Sequence, residues 1–259
     1  MEKNTLSRDG TRIAYERTGR GPAVVLVSGA MSTGATTAPL AAELSDRFDV
    51  TVYDRRGRGG SGDTAPYAVE REIEDLAALI EAVGGEASLY GMSSGGALAL
   101  RAAASGLPVP RVAVYEVPYA MDEAAARSAA EYTEGLAEAL GKDRRGDAVE
   151  LFLRRTGLGE DMIRGARQSP MWAGMESVAP SLAYDDAVMG DSRVPEAAIA
   201  SITAPLLALA GGASDAWWHE AARAVADAAP RGTYGTVAGQ AHMVEPGVLA
   251  PVLTEFLGR

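Results

Sequence analysis

The chain has 259 residues, of which 47% are hydrophobic and 23% are charged, and its formal net charge at pH 7 is -11. This length and apolar content suit one α/β domain with an insertion or two small domains, and they argue against a disordered chain. The acidic balance argues against nucleic acid or an anionic membrane surface as the partner, because both require a basic protein surface. No cysteine is present, which excludes disulfides, thiolate nucleophiles and cysteine metal sites.

The amino-terminal segment is polar, and no stretch of the chain approaches the roughly 20 apolar residues that span a bilayer. We therefore expect neither a signal peptide nor a transmembrane helix. The lack of cysteine fits a reducing compartment, so the sequence predicts a cytoplasmic protein.

β-rich runs and helical patterns alternate over the first 120 residues. The run at 11–19 alternates apolar and polar residues after a turn at Asp9 and Gly10, which predicts an edge strand or half of a hairpin. Continuous apolar runs predict strands buried on both faces of a parallel sheet. They are found at 22–30, 48–54, 86–91 and 111–118, with helical patterns at 38–46 and 70–85 between them.

The alternation of strands and helices stops between Met121 and about Ala200. Three helical patterns, at 121–141, 145–157 and 169–184, follow one another there without strands. The alternation then returns, with strands predicted at 205–212 and 232–239 and helices at 216–230 and 246–258. The pattern predicts a mostly parallel sheet with helices on both faces, formed by residues 1–120 and 201–259, and a helical insertion at 121–200.

The segment from Gly91 to Gly95 has the pattern G-x-S-x-G between a predicted strand and a predicted helix. The central residue of such a turn has a strained backbone, so its neighbours two positions away must be small. Ser93 is then held out at the carboxyl end of the sheet as a candidate nucleophile. Ser94 lies in the first helical turn, where its unpaired N–H can donate to an anion. The alternative is a chance match to the pattern, in which the glycines only allow the helix to pack closely on the strand.

A serine nucleophile needs a base, and this chain has two histidines. His242 follows the last predicted strand, which returns it to the sheet edge of Ser93, whereas His219 lies inside a predicted helix and is interpreted as structural. An oxyanion hole needs two N–H donors. Ser94 offers one, and we expect the other from Ala30, or its neighbour Met31, in the loop after the first buried strand.

These features together resemble the α/β-hydrolase fold family over nearly the whole chain. The resemblance rests on the elbow at 91–95, on His242, on Ser28-Gly29 where the family often has His-Gly, and on "YDRRGRGGSGD" at 53–63. The last segment resembles the family's D-x-R-G-x-G-x-S turn, which packs near the active site and is not catalytic. The insertion at 121–200 resembles the family's helical cap or lid.

The resemblance leaves two candidates for the acid that orients the histidine. Asp215 follows the penultimate strand, where the family most often has its acid, although one residue later than the usual spacing from Gly211. Glu116 ends the strand after the elbow helix, as in some branches of the family. Asp215 is the preferred candidate; its alternative interpretation is a helix N-cap, and that of Glu116 is a pocket wall.

An apolar or aromatic substrate is suggested by the third helical pattern of the insertion. Met171, Met175, Val178 and Leu182 fall at helical spacing, with Trp172 beside them. This surface would roof a pocket above Ser93, or it would pack the cap on the core. No phosphate-loop, dinucleotide or metal-ligand pattern is found, so no cofactor is expected.

The function that the sequence favours is a cofactor-independent serine hydrolase acting on an ester, thioester or lactone through an acyl-enzyme. A lyase or cyclase on the same scaffold, or a catalytically silent binding protein, remains as an alternative, because a fold does not determine a function.

Overall fold

Eight strands form one sheet in the order β1-β2-β4-β3-β5-β6-β7-β8. The computed structural model describes residues 3–259. The strands are β1 (Lys3–Leu6), β2 (Arg12–Gly19), β3 (Ala23–Val27), β4 (Asp49–Tyr53), β5 (Ser88–Met92), β6 (Val112–Tyr115), β7 (Leu206–Gly211) and β8 (Gly232–Val237). From β4 to β8 all neighbours are parallel, and β2 pairs antiparallel with both β1 and β4.

A hairpin begins the sheet, as the turn at Asp9 and Gly10 predicts. The side chain of Asp9 accepts a hydrogen bond from Thr11 N at 2.9 Å, and Gly10 has a φ of 82° that a glycine adopts without strain. The pattern of the first residues did not reveal β1, which is only four residues long and polar.

Eleven α-helices are found in residues 3–259. They are α1 (Gly34–Leu44), α2 (Val69–Val83), α3 (Ser94–Ala104), α4 (Glu123–Gly141), α5 (Arg145–Arg155), α6 (Glu160–Arg167), α7 (Trp172–Val178), α8 (Leu182–Met189), α9 (Glu196–Ile199), α10 (Ala216–Ala228) and α11 (Pro246–Leu257). The single helix expected at 169–184 is wrong: α7 and α8 are separated by a 3-10 turn at Ala179–Ser181. Pro180 lies in that turn, where a missing N–H and a bulky ring disfavour a continuous α-helix.

The core lies on both faces of the sheet, because successive side chains of a strand point to opposite sides. Val25 and Val27 of β3 belong to the apolar cluster formed with α2, α3 and α10, whereas Val24 and Leu26 belong to the cluster formed with α1 and α11. These layers confirm the predicted α/β fold with helices on both faces.

The segment between β6 and β7 is helical and contains no strand in the described chain. It has an apolar cluster of its own, which includes Leu136, Val149 and Ile163. Ala30 and Met31, in the loop after β3, pack against this cluster. The helical insertion therefore covers the carboxyl edge of the sheet at that loop. The division of the chain into a core and a separate cap at 121 and 200 remains a prediction.

Within residues 3–259, no helix has both the length and the apolar composition that crossing a membrane requires.

Candidate active site

Ser93 lies in a sharp turn between the end of β5 and the start of α3. Its backbone has φ 55° and ψ -131°, a region that residues other than glycine rarely adopt. A Cβ atom at Gly91 would collide with Gly95 O, and one at Gly95 would collide with Val27 O, so both positions require glycine. The turn is fixed further by a hydrogen bond of 2.9 Å from Ser93 N to Tyr115 O. Strain of this kind marks functional turns when the surroundings enforce it.

The loop after β3 passes beside Ser93. A Cβ atom on Gly29 would lie 3.1 Å from the Cβ of Ser93 and 3.7 Å from its Oγ. The next residue, Ala30, and the first residue of α3, Ser94, thus flank the serine from two sides. Within residues 3–259 neither Ala30 N nor Ser94 N has a hydrogen-bond partner. These N–H groups remain able to donate to a ligand. Met31 beside them has a φ of 57°.

Glu116 is the carboxylate that the structure pairs with His242. Nδ1 of His242 lies 2.9 Å from Oε2 of Glu116, whose side chain is fully buried, whereas the histidine side chain is 36% exposed. The other carboxylate oxygen accepts hydrogen bonds of 2.7 Å from Gly211 N and 2.6 Å from Ser214 Oγ. Glu116 also has a positive φ of 45°.

Asp215, which the sequence favoured as the partner of the histidine, does not contact it by any hydrogen bond in the described chain. It is exposed and precedes α10 at the N-cap position without a side-chain capping bond. The structure therefore corrects the preference: the carboxylate beside His242 is the alternative candidate, Glu116. The physical reason is that the loop after β8 folds back across the end of β7, where Gln240 O accepts a hydrogen bond of 2.8 Å from Ala213 N. This path brings the histidine to the end of β6, two strands away from β8.

Glu116 is held ionised in this site. Burial raises the pKa of its carboxyl group, but hydrogen bonds from His242, Ser214 and Gly211 favour the charged form and bring the pKa below its usual value. A carboxylate in this state fixes the proton of the imidazole on Nδ1 and leaves Nε2 as the acceptor. No hydrogen bond joins Ser93 Oγ to His242 in residues 3–259; such contacts are often completed only when a substrate binds.

Two aromatic side chains, which the sequence did not single out, hold the histidine loop. The ring of Trp218 stacks on that of His242 with centroids 4.7 Å apart and planes 19° apart. Tyr115 Oη donates a hydrogen bond of 2.6 Å to Ala241 O, the residue before the histidine. The sequence shows Trp218 only as part of a predicted helix, and its partner lies 24 residues further on.

His219 has a structural environment, as its place in a helix predicts. Its Nδ1 lies 2.8 Å from Tyr234 Oη, and its Nε2 lies 3.2 Å from Ser214 O. Both ring nitrogens are therefore engaged within the fold.

The structure gives the surroundings of two side chains that the sequence suggested as the roof of a pocket above Ser93, Trp172 and Met171. Trp172 is buried in the apolar cluster of the insertion, the same cluster against which Met31 packs, and this arrangement is the packing alternative. Met171 does not belong to this cluster and is 74% exposed. Whether Trp172 contacts a substrate stays a prediction.

Three arginines of the turn at 53–63 are fully buried, which the sequence did not indicate. Arg56 pairs with Asp75 of α2, whereas Arg55 and Arg58 both pair with Asp185 of α8 at 2.6 Å. Burial raises the pKa of Asp185, but the charges of Arg58 and Arg55 reverse this effect and bring the pKa below its usual value. The turn is thus linked by charge to the helical insertion.

No group of histidine, aspartate and glutamate side chains in residues 3–259 has the arrangement of a metal site. Ser28, at the position where the family often has histidine, is buried with its Oγ unpaired within the described residues.

Known proteins that are similar to this chain share its α/β fold. A model described as the alpha/beta hydrolase family matches residues 24–252. The crystal structure of an alpha/beta hydrolase from Sphaerobacter thermophilus has a TM-score of 0.89 and 52% sequence identity, and the match covers 98% of this chain and 100% of that one.

Two curated relatives are named as hydrolytic enzymes. The 2-(acetamidomethylene)succinate hydrolase of Mesorhizobium japonicum is 31% identical over 205 residues, which are 76% of this chain and 72% of that protein. The N-formylmaleamate deformylase of Pseudomonas putida is 38% identical over 107 residues, which are 40% of each protein. The chain spans only 5% and 40% of the first two curated relatives that it matches.

Proposed function

The chain belongs to the alpha/beta hydrolase family, and from this premise we propose that it is a cofactor-independent serine hydrolase that cleaves an ester, thioester or lactone through an acyl-enzyme. Ser93 is the nucleophile, His242 the base and Glu116 the acid that orients the base. The N–H groups of Ser94 and Ala30 form the oxyanion hole.

The reaction follows from the chemistry of these groups. His242 Nε2 accepts the proton of Ser93 Oγ as that oxygen attacks the carbonyl carbon, and the two N–H groups stabilise the charge on the carbonyl oxygen. The imidazolium then protonates the leaving oxygen or sulfur, and the carbon–oxygen or carbon–sulfur bond breaks. A water molecule, deprotonated by the same histidine, attacks the acyl-enzyme. The bond to Ser93 Oγ then breaks, and the imidazolium returns its proton to that oxygen, which regenerates the free serine.

One observation carries the proposal. The fully buried carboxylate of Glu116 bonds to Nδ1 of His242 while its second oxygen is held by Gly211 and Ser214. A fold does not bury an ionised carboxylate without partners, and its partner here is the histidine after the last strand. This arrangement orients an imidazole at the sheet edge where Ser93 is held in a strained turn.

The expected substrate has a small apolar or aromatic acyl group. Ala30 and Met31 beside the serine pack against an apolar cluster, and Trp218 covers the histidine ring. The buried guanidinium groups of Arg55 and Arg58 are engaged by carboxylates of the protein, which leaves them unavailable to clamp an acidic substrate. An N-formyl amide belongs in the test panel, since one relative is named as a deformylase.

The first test is incubation of the purified protein with an alkyl fluorophosphonate, followed by intact and peptide mass measurement. We expect one adduct on Ser93, and its loss in the His242→Ala variant. Esters, thioesters, lactones and the N-formyl amide are then assayed with the labelled and unlabelled protein. A folded protein that forms no adduct would refute the activated serine and favour the lyase, cyclase or binding alternatives.

A further inference from the structure

Asp185 joins the helical insertion directly to Ser94 and, through Arg58, to the loop that carries Ala30. Its Oδ1 accepts a hydrogen bond of 2.8 Å from Ser94 Oγ and one of 2.6 Å from Arg55, and its Oδ2 accepts one of 2.6 Å from Arg58. Asp185 and all three donors are buried, so water does not compete for these bonds.

Arg58 connects this carboxylate to the loop after β3. Its Nη2 binds Asp185, and its Nη1 donates to Gly29 O at 2.7 Å and to Ser32 O at 3.2 Å. The rigid fork of the guanidinium therefore sets the position of the Gly29 carbonyl relative to the carboxylate.

The bond to Gly29 O also determines the direction of the Ala30 N–H. Both groups belong to the same peptide unit, which is planar and trans. Because C=O and N–H point in opposite directions across a trans peptide, fixing Gly29 O from one side aims Ala30 N–H to the other. Arg55 constrains the preceding peptide in the same way through a bond of 3.3 Å to Ser28 O.

We propose that Asp185 is a positioning residue for the oxyanion hole: through Ser94 Oγ and through Arg58 and Gly29 O, this one carboxylate of the insertion aligns both N–H donors. The inference rests on the proposed function. Asp185 would also couple the position of α8 on the core to the geometry of the site. Arg55 and Arg58 occupy the variable positions of the D-x-R-G-x-G-x-S turn, so the device belongs to this chain's own residues.

The test compares Asp185→Asn with Asp186→Asn. Asp186, the next residue on α8, bonds Thr133 of the insertion and not the turn, so it is a matched control for charge and position. The readouts are the second-order rate of phosphonylation of Ser93 by an alkyl fluorophosphonate, the inhibition constant of phenylboronic acid, and kcat and KM for a p-nitrophenyl ester.

For Asp185→Asn we expect the phosphonylation rate and kcat to fall by about 10- to 100-fold, below the loss for deleting a donor outright. Binding of the boronic acid, whose tetrahedral adduct needs the oxyanion hole, should weaken in proportion, with KM changed less than threefold. The Asp186→Asn variant should stay within twofold. A purely structural role would lower the melting temperature of Asp185→Asn but leave the phosphonylation rate, kcat and the inhibition constant of the folded fraction at their wild-type values. That result would overturn the inference.

Arg58→Lys provides a second test in case Asp185→Asn does not fold. A lysine retains the charge beside Asp185 but lacks the fork that holds the carboxylate and Gly29 O together. We expect a folded protein with at least tenfold slower phosphonylation; an unchanged rate would overturn the inference. Labelling of the wild type at Ser93 separates the two hypotheses, because its failure would refute the proposed function itself.

Discussion

Replacing Glu116 by glutamine tests the acid of the proposed triad. The carboxylate has two oxygens with different partners: Gly211 N and Ser214 Oγ donate to one, and His242 Nδ1 donates to the other. An amide in this place keeps its oxygen towards Gly211 N, an obligatory donor, and therefore turns its NH₂ group towards the imidazole. Nδ1 must then accept, which moves the ring proton to Nε2, where it blocks proton transfer from Ser93.

The expected loss is large because the tautomer is wrong and the countercharge of the imidazolium is absent. We expect kcat of Glu116→Gln to fall on the order of 10⁴-fold, the effect of the equivalent change in a serine protease triad, which corresponds to about 5 kcal/mol of transition-state stabilisation. KM should change little, because the buried carboxylate is held by protein groups.

Asp215→Asn is the control for this experiment. Asp215 is exposed and has no side-chain capping bond, so its kcat should remain within about twofold of the wild type. Both variants are assayed on the p-nitrophenyl ester, with circular dichroism to verify folding. A loss in Asp215→Asn that exceeds that in Glu116→Gln would refute the assignment of the acid.

Two further predictions concern the surroundings of His242. The pKa of Glu116 is lowered in the folded protein from a usual value of 4.5, so its charge stabilises the fold above that pH and the contribution disappears as the pH falls through the folded-state pKa. The urea-unfolding free energies of wild type and Glu116→Gln should therefore converge as the pH is lowered below 4.5, and a constant difference would contradict this. Trp218→Leu removes the aromatic face that stabilises the imidazolium, a contribution of roughly 0.5–2 kcal/mol, so kcat should fall roughly 2- to 30-fold. Trp218→Phe should retain most activity, and equal losses in the two variants would contradict the stacking role. Trp217→Leu, which alters the neighbour stacked on Trp218, controls for packing.

The order of strands and helices and the shape of the turn at Ser93 could be predicted from local patterns. Apolar runs marked the buried strands because both faces of a parallel sheet are covered. Gly91 and Gly95 marked the strained turn because any Cβ at these positions meets backbone. The place of His242 after the last strand was equally visible, since parallel strands end at one edge of the sheet.

The partner of the histidine, the link from Asp185 to the turn and the stacking of Trp218 were decided only by the tertiary structure. Glu116 and His242 are separated by 126 residues, and Arg58 and Asp185 by 127. No periodicity or spacing in the sequence encodes which of two carboxylates, at the ends of neighbouring strands, is buried against the imidazole. These pairings depend on strand order and on how the loops and the inserted helices pack, which bring distant side chains together where each buried charge requires a partner.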